Sequence, residues 1–388
     1  MKKIITVLFS VLMLSAGFAQ GIQFFEGSFE EALVQAEKEN KLVFVDAYTT
    51  WCGPCKYMSR DVFTDESVGS YFNSKFINLK LDQEEGEGLE FAKTYEVRFY
   101  PTLLFINAEG KLAHKAIGAK DVKQFMQLGT DANSKQGQLL WLQTQHNSGK
   151  LSPKLLNNYA NALQSARLPE SEEIALDYLK TQNNWGSDEN INFILKHFPS
   201  DVEGKVFKYI LKEKDLFVNM LGDAKILDKN INLSISKTLD AKGDLSDKEI
   251  DEFYESFYPK SWEKEAENYK VSILEKSKLD KDKDEFIARK ISFIEKYGSD
   301  NWGELNGFAW RIYEESEDRA QLEAAKKLAK QSIELDENYY NTDTYTWICV
   351  KLGDIDSAMK FGEKAKKLGQ AEDADVSELI KFLTTPRK

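Results

Sequence analysis

The segment Trp51-Cys52-Gly53-Pro54-Cys55-Lys56 carries two cysteines separated by two residues. A pair at this spacing can close a small disulfide, reopen it and hand it to another protein. The motif follows the apolar run Leu42-Val43-Phe44-Val45 and opens a predicted helix. A helix N-terminus offers unpaired N–H groups and partial positive charge, and both stabilise a thiolate. This placement makes Cys52 the nucleophile, with its sulfur near the surface. Cys55, one turn later and less exposed, resolves the mixed disulfide. Gly53 and Pro54 allow the tight turn, and proline suits the first helical turn, where its missing N–H costs nothing.

Other chemistries at this spacing are a static disulfide or half of a zinc site. Zinc needs two more ligands of suitable type. Cys349, His114, His146 and His197 are scattered without ligand spacing. No metal or cofactor is expected.

The elements around the motif alternate helix and strand signals. Phe29 to Asn40 reads as a helix and Leu42 to Ala47 as a buried strand. A helix begins near Pro54, a short helical piece spans Val68 to Asn73, and a strand runs from Phe76 to Leu81. A helix over Gly88 to Tyr95 precedes a hairpin of Pro101 to Asn107 with Leu112 to Ile117, and Asp121 to Leu128 closes the domain. Parallel-type strands interleaved with helices and finished by an antiparallel hairpin make an α/β sandwich.

Beyond Asn133 the strand signals fade and helical spacing takes over, as in Ile191, Ile194, Leu195 and Phe198. Breaks fall at Leu168-Pro169, Phe198-Pro199, Gly243-Asp244 and Tyr258-Pro259. Short helices joined by short turns suggest a stacked array. Ala325, Ala329 and Ser332 are followed 33 residues later by Ala358, Gly362 and Ala365. Small residues at a period near 34 are the tetratricopeptide signature, here legible over about residues 303–370. Cys349 reads as a packed core thiol. The acidic run Asp82 to Glu90 reads as a solvated loop and helix start.

The chain of 388 residues opens with Met1-Lys2-Lys3, an apolar stretch from Ile4 to Leu14, and Ser15-Ala16-Gly17-Phe18-Ala19. This describes a secretory signal peptide cleaved after Ala19; an uncleaved anchor is the alternative. The mature chain is expected outside the cytoplasm, in the periplasm of a bacterium with two membranes. Only three cysteines are present, so the core rather than disulfides holds the fold. The net charge of −12 argues against nucleic acid as a partner. The expected division is a signal peptide over 1–19, an α/β domain over 20–132, an α-helical domain over 133–302 and tetratricopeptide-like helical repeats over 303–388.

In this setting the motif resembles the thioredoxin family across about residues 24–130. Asp46, six residues before Cys52, is similar in place to the family's buried aspartate. The resemblance implies that it takes a proton from Cys55, and burial would raise its pKa. Pro101, in Tyr100-Pro101-Thr102, matches the family's cis-proline packed against the active-site disulfide. There it would leave the Tyr100 backbone open to a substrate strand. Trp51 matches the tryptophan beside the nucleophile, and Gly118 the glycine near the end of the last strand. The family's partner lysine aligns with Asn78, and Lys80 on the same face is the candidate substitute. Lys56-Tyr57-Met58 through Val62-Phe63-Thr64-Asp65, with Val68 and Tyr71, resembles the exported thiol–disulfide interchange branch.

The resemblance implies an exported thiol–disulfide oxidoreductase with a thioredoxin-like domain, which the helical spacing beyond it extends with an all-α, tetratricopeptide-like part. Gly-Pro between the cysteines is similar to reducing members. Protein disulfides or dithiols would be the substrates, Trp51, Gly53, Pro54 and Tyr100 would meet them, and a membrane-embedded donor would supply electrons. The helical domain would bind a partner peptide. Two alternatives stand beside it. One is a helical-repeat binding protein with a structural or regulatory disulfide, and the other is a disulfide oxidase or isomerase.

Overall fold

The computed structural model describes residues 21–277 and 283–385. The expected signal peptide lies outside the described residues. The chain groups into two compact units, one ending at Leu227 and the other beginning at Asp228.

In the first unit, α1 (Phe29–Glu39) starts at a capping box in which the Ser28 hydroxyl and the Glu31 carboxylate each accept the other's backbone N–H. It ends on Asn40 in the left-handed region, which asparagine tolerates. Strand β1 (Leu42–Tyr48) leads to α2 (Gly53–Tyr57), which runs directly into a π turn at Met58–Val62. Then come α3 (Glu66–Lys75), β2 (Phe76–Asp82), α4 (Gly88–Thr94), β3 (Thr102–Ile106), β4 (Leu112–Ile117) and α5 (Val122–Ala132). The sheet order is β2-β1-β3-β4. β1 runs parallel to β2 and antiparallel to β3, and β3 and β4 form the expected hairpin.

Side chains alternate between the two faces of a strand, yet β1 is apolar almost throughout because helices cover both faces. Phe44 packs with Met58, Val62, Phe72, Phe105 and Phe125 on one face. Val43 and Val45 pack with Ala32, Ala36, Leu79 and Leu104 on the other. Phe72 and Phe125 stack at 4.2 Å between centroids. Two differences from expectation are local. The helix after the motif changes to π geometry, and α5 continues to Ala132 because Leu128 and Ala132 are also buried.

Helices α6 (Leu139–Asn147) and α7 (Pro153–Ser165) pack against β4 in the same unit. The His114 Nδ1 accepts the Leu139 N–H at 3.2 Å, and burial pushes this histidine down to about 4. The remaining expected breaks fall between helices.

The second unit is helical. Among its helices, Trp302–Glu315, Arg319–Leu335, Tyr339–Leu352 and Ile355–Ala371 follow one another with short turns. Ala325, Ala329 and Ser332, and then Ala358, Gly362 and Ala365, are buried at equivalent places on alternate helices. The Ser332 hydroxyl donates to the Trp302 carbonyl at 2.8 Å. This is consistent with the expected tetratricopeptide-like character. Cys349 is buried in this core. Among the described residues, no helix is long and apolar enough to cross a membrane.

Candidate active site

The sheet delivers β1 to the motif. After Tyr48 the chain turns, with the Cys52 N–H donating to the Thr49 carbonyl at 3.3 Å, and α2 begins. Cys52 is the N-cap residue in extended conformation, and Pro54 sits in the first helical turn. Cys52 and Cys55 are joined as a disulfide with Cα atoms 5.3 Å apart. The Cys52 Sγ accepts the Cys55 backbone N–H at 3.1 Å, so this sulfur sits on one of the helix's free donors.

That geometry corrects one expectation. Cys52 is only 3% exposed, hardly more than Cys55 at 2%, because its sulfur turns back onto the helix end instead of outward. Gly53 is also not required by the backbone. Its φ is not positive and a Cβ there would meet nothing within 4 Å, so its lack of side chain leaves the approach to the pair bare.

Asp46 lies on the Phe44 face of β1, completely buried. Neither carboxylate oxygen has a hydrogen-bond partner. Lys80 is its register partner on β2, with Nζ 3.7 Å from Oδ2. That is an ion pair too long to be a hydrogen bond. Burial raises the Asp46 carboxyl to about 6, and Lys80 opposes the rise. The Lys80 ammonium also donates to the Ser59 hydroxyl and lies 4.6 Å from the Tyr48 ring centroid. Ser59 is in the π turn that continues α2, so Lys80 links Asp46 to the helical segment that Cys52 opens. Asn78 does not take the lysine's place. It pairs with Phe44, and its Nδ2 donates to Asn73 Oδ1 at 3.1 Å and to the Gln23 carbonyl at 3.4 Å.

The Tyr100-Pro101 bond is cis. The Pro101 carbonyl accepts the Gly118 N–H at 2.8 Å, which ties this loop to the end of β4. Gly118 has φ 86°, a conformation suited to glycine. Tyr100 meets Trp51 edge to face at 5.9 Å. The Trp51 indole is 64% exposed, and its N–H donates to both Glu84 carboxylate oxygens at 2.9 and 3.0 Å. Burial, with Glu84 and Asp82 nearby, raises the Tyr100 phenol pKa.

The structure therefore brings Trp51 and Tyr100 together and joins Cys52 to Cys55. Glu84 and Ser59 belong to this region and were not among the sequence candidates. The signal for Glu84 was its place just after β2, in a run of acids that composition alone labels solvated. Chemically, a disulfide at a helix N-terminus can exchange with thiols, and the strand that leads to it carries a buried carboxyl pushed up to about 6.

Comparison with known proteins agrees. A family model described as thioredoxin-like matches residues 25–108. The chain is 39% identical over 85 residues to Thioredoxin-1 of Drosophila melanogaster, a match covering 22% of this chain and 74% of that one. It is 30% identical over 100 residues to the thiol:disulfide interchange protein DsbD of Pseudoalteromonas atlantica, covering 26% of this chain but only 16% of that protein. A solution structure of a Bacteroides thetaiotaomicron protein shares 51% identity, covering 30% of this chain and 98% of that one, with a TM-score of 0.27.

Proposed function

Because the chain belongs to the thioredoxin family, we propose that it is an exported thiol–disulfide oxidoreductase that reduces protein disulfides through Cys52 and Cys55. The observation that carries the reading is the Cys52–Cys55 disulfide at the start of α2. In the reduced enzyme the Cys52 thiolate attacks one sulfur of a substrate disulfide. The substrate S–S bond breaks, its second sulfur leaves as a thiolate and takes up a proton, and a Cys52–substrate disulfide forms. Cys55 gives its proton to the Asp46 carboxylate and attacks the Cys52 sulfur. The remaining substrate thiolate leaves, two electrons have passed to the substrate, and the enzyme disulfide is restored.

In this reading Trp51, Gly53, Pro54 and Tyr100 form the face that meets the substrate, with the Tyr100 backbone beside Pro101 pairing with an extended segment. An electron donor in the membrane restores the dithiol after each cycle, and the protein works in the periplasm after removal of residues 1–19. Residues 20–132 carry the exchange chemistry. Segments 133–302 and 303–388 hold a partner peptide or position the site near one. Dithiothreitol can replace the donor in solution. The protein is expected to catalyse insulin reduction by dithiothreitol, and Cys52→Ser to remove that catalysis. Equal rates for the two proteins would sink the reading.

The burial of both sulfurs favours a second reading, in which the disulfide is a stable brace of a helical binding protein. A redox titration separates the two. A potential below about −300 mV marks a structural bond, and a higher one marks exchange.

A further inference from the structure

We propose that Arg167, at the end of α7, forms with Lys120 a receiving site for an acidic side chain of the substrate polypeptide beside its reacting cysteine. This deepens the reading above and rests on it.

Phe99 and Tyr100, the two residues before Pro101, have different partners. Tyr100 packs on Trp51, and Phe99 lies under the Arg167 guanidinium, 5.1 Å from carbon to ring centroid. Phe99 is 52% exposed, so this pair is on the surface next to the cis peptide. Arg167 thus reaches the exchange loop from outside the sheet domain, within the same compact unit.

Its position is fixed by the backbone. The Leu168 N–H donates to the Leu163 carbonyl at 2.9 Å and the Arg167 N–H to the Gln164 carbonyl at 2.9 Å. This is the Schellman closure of a helix, where glycine usually occupies the left-handed position. Here that position is Arg167, with φ 53°. An arginine held where glycine fits best is a local compromise that points to use of its side chain.

The charges are left open. Among the described residues no carboxylate pairs with Arg167 or Lys120. The Lys120 ammonium is turned onto the Ile117 and Gly118 carbonyls at 3.0 and 3.2 Å. Burial, and Arg167 beside it, lower the Lys120 pKa, so the two cations feel each other. They line an open cleft of about 1010 Å³ whose other charged walls are Lys123, Lys196, Asp121 and Asp131. The cleft therefore has an excess of positive charge. A guanidinium stacked on an aromatic face still presents its N–H edge, which fits a carboxylate with two parallel hydrogen bonds. A substrate strand lying along Tyr100 and Pro101 would bring a neighbouring side chain to that edge.

The test uses the full chain and three synthetic peptide disulfides that differ only in the residue beside one cysteine, being Glu, Gln or Lys. The readout is kcat/KM for each peptide with dithiothreitol as reductant, taken as a ratio within each protein. Wild-type is expected to favour the Glu peptide over the Gln peptide about three- to tenfold, and less at high salt. Arg167→Asn, which tolerates the left-handed backbone, brings the ratio close to one. Arg167→Glu inverts it in favour of the Lys peptide. Exchange on all three peptides with no preference in wild-type, or a preference unchanged by both variants, overturns the Arg167 inference and leaves the oxidoreductase reading standing. No exchange on insulin or any peptide overturns both.

Discussion

Lys80 stands opposite Asp46 in the parallel pairing of β1 and β2, its Nζ 3.7 Å from the carboxylate Oδ2. The separation stops short of a hydrogen bond, so Asp46 is buried with charge nearby but no donor in contact. Desolvation therefore outweighs attraction, and the carboxyl titrates at about 6. A group so placed can hold or release a proton near neutrality, as the proposed reaction asks of a partner for Cys55.

Asp46→Asn tests this through stability and kinetics together. The folded pKa of about 6 exceeds the ordinary 3.8, so the folded state binds the proton more tightly. The stabilisation is fully present below 3.8 and is lost as pH rises through about 6. Asp46→Asn should therefore raise stability at pH 7 by about 1–3 kcal/mol and flatten its pH dependence between those values, as read by urea unfolding. It should also slow release of the substrate from the mixed disulfide.

Lys80→Met removes the opposing charge and should move the Asp46 titration further upward. The pH–rate profile of disulfide reduction should follow it. Asn78→Ala should leave that profile in place and cost about 1 kcal/mol through its lost hydrogen bonds. Equal shifts in the two variants would contradict the assignment of Lys80 as partner.

Cys55→Ala should trap substrate on Cys52, because nothing remains to resolve the mixed disulfide. Non-reducing electrophoresis should show adducts that dithiothreitol releases, and none with Cys52→Ser/Cys55→Ala.

Cys349 should stay silent in the native state. Burial pushes its thiol up to about 11 and packs it in the helical core. A thiol titration of the oxidised protein should find no reactive group when folded and one in denaturant. Early reaction in the folded state would show that the core opens.

Glu84→Ala should release the Trp51 indole. Both groups are exposed, so the stability change should stay within about 1 kcal/mol. The KM for a protein disulfide should rise several-fold if Trp51 belongs to the binding face, with tryptophan emission reporting the change.

Much of this was legible in local chemistry. The strand at Leu42–Tyr48 announces itself by its apolar run, and the capped helix after it by Gly53-Pro54. Asp46 and Pro101 were found through resemblance, Asp46 also by its place six residues before Cys52. The electrostatic partner was harder to read. Choosing between Asn78 and Lys80 needs the parallel register, and a shift of pairing by two residues keeps the same face while changing the neighbour. The depth of Cys52 was not legible either, since it depends on how its sulfur turns onto the helix end. Arg167 and Glu84 lie on separate segments, and only tertiary packing brings them to the loop and the indole.

The strand order β2-β1-β3-β4 places the central strand between partners made at different times. As the chain is synthesised, Cys52 and Cys55 emerge well before Thr102–Ile106, the strand that closes the other edge of β1. That pairing is long-range and carries a loop-closure cost, and it is what sets Leu103 opposite Asp46. The edge-to-face contact of Trp51 with Tyr100 therefore joins the motif to a part of the chain made well after it.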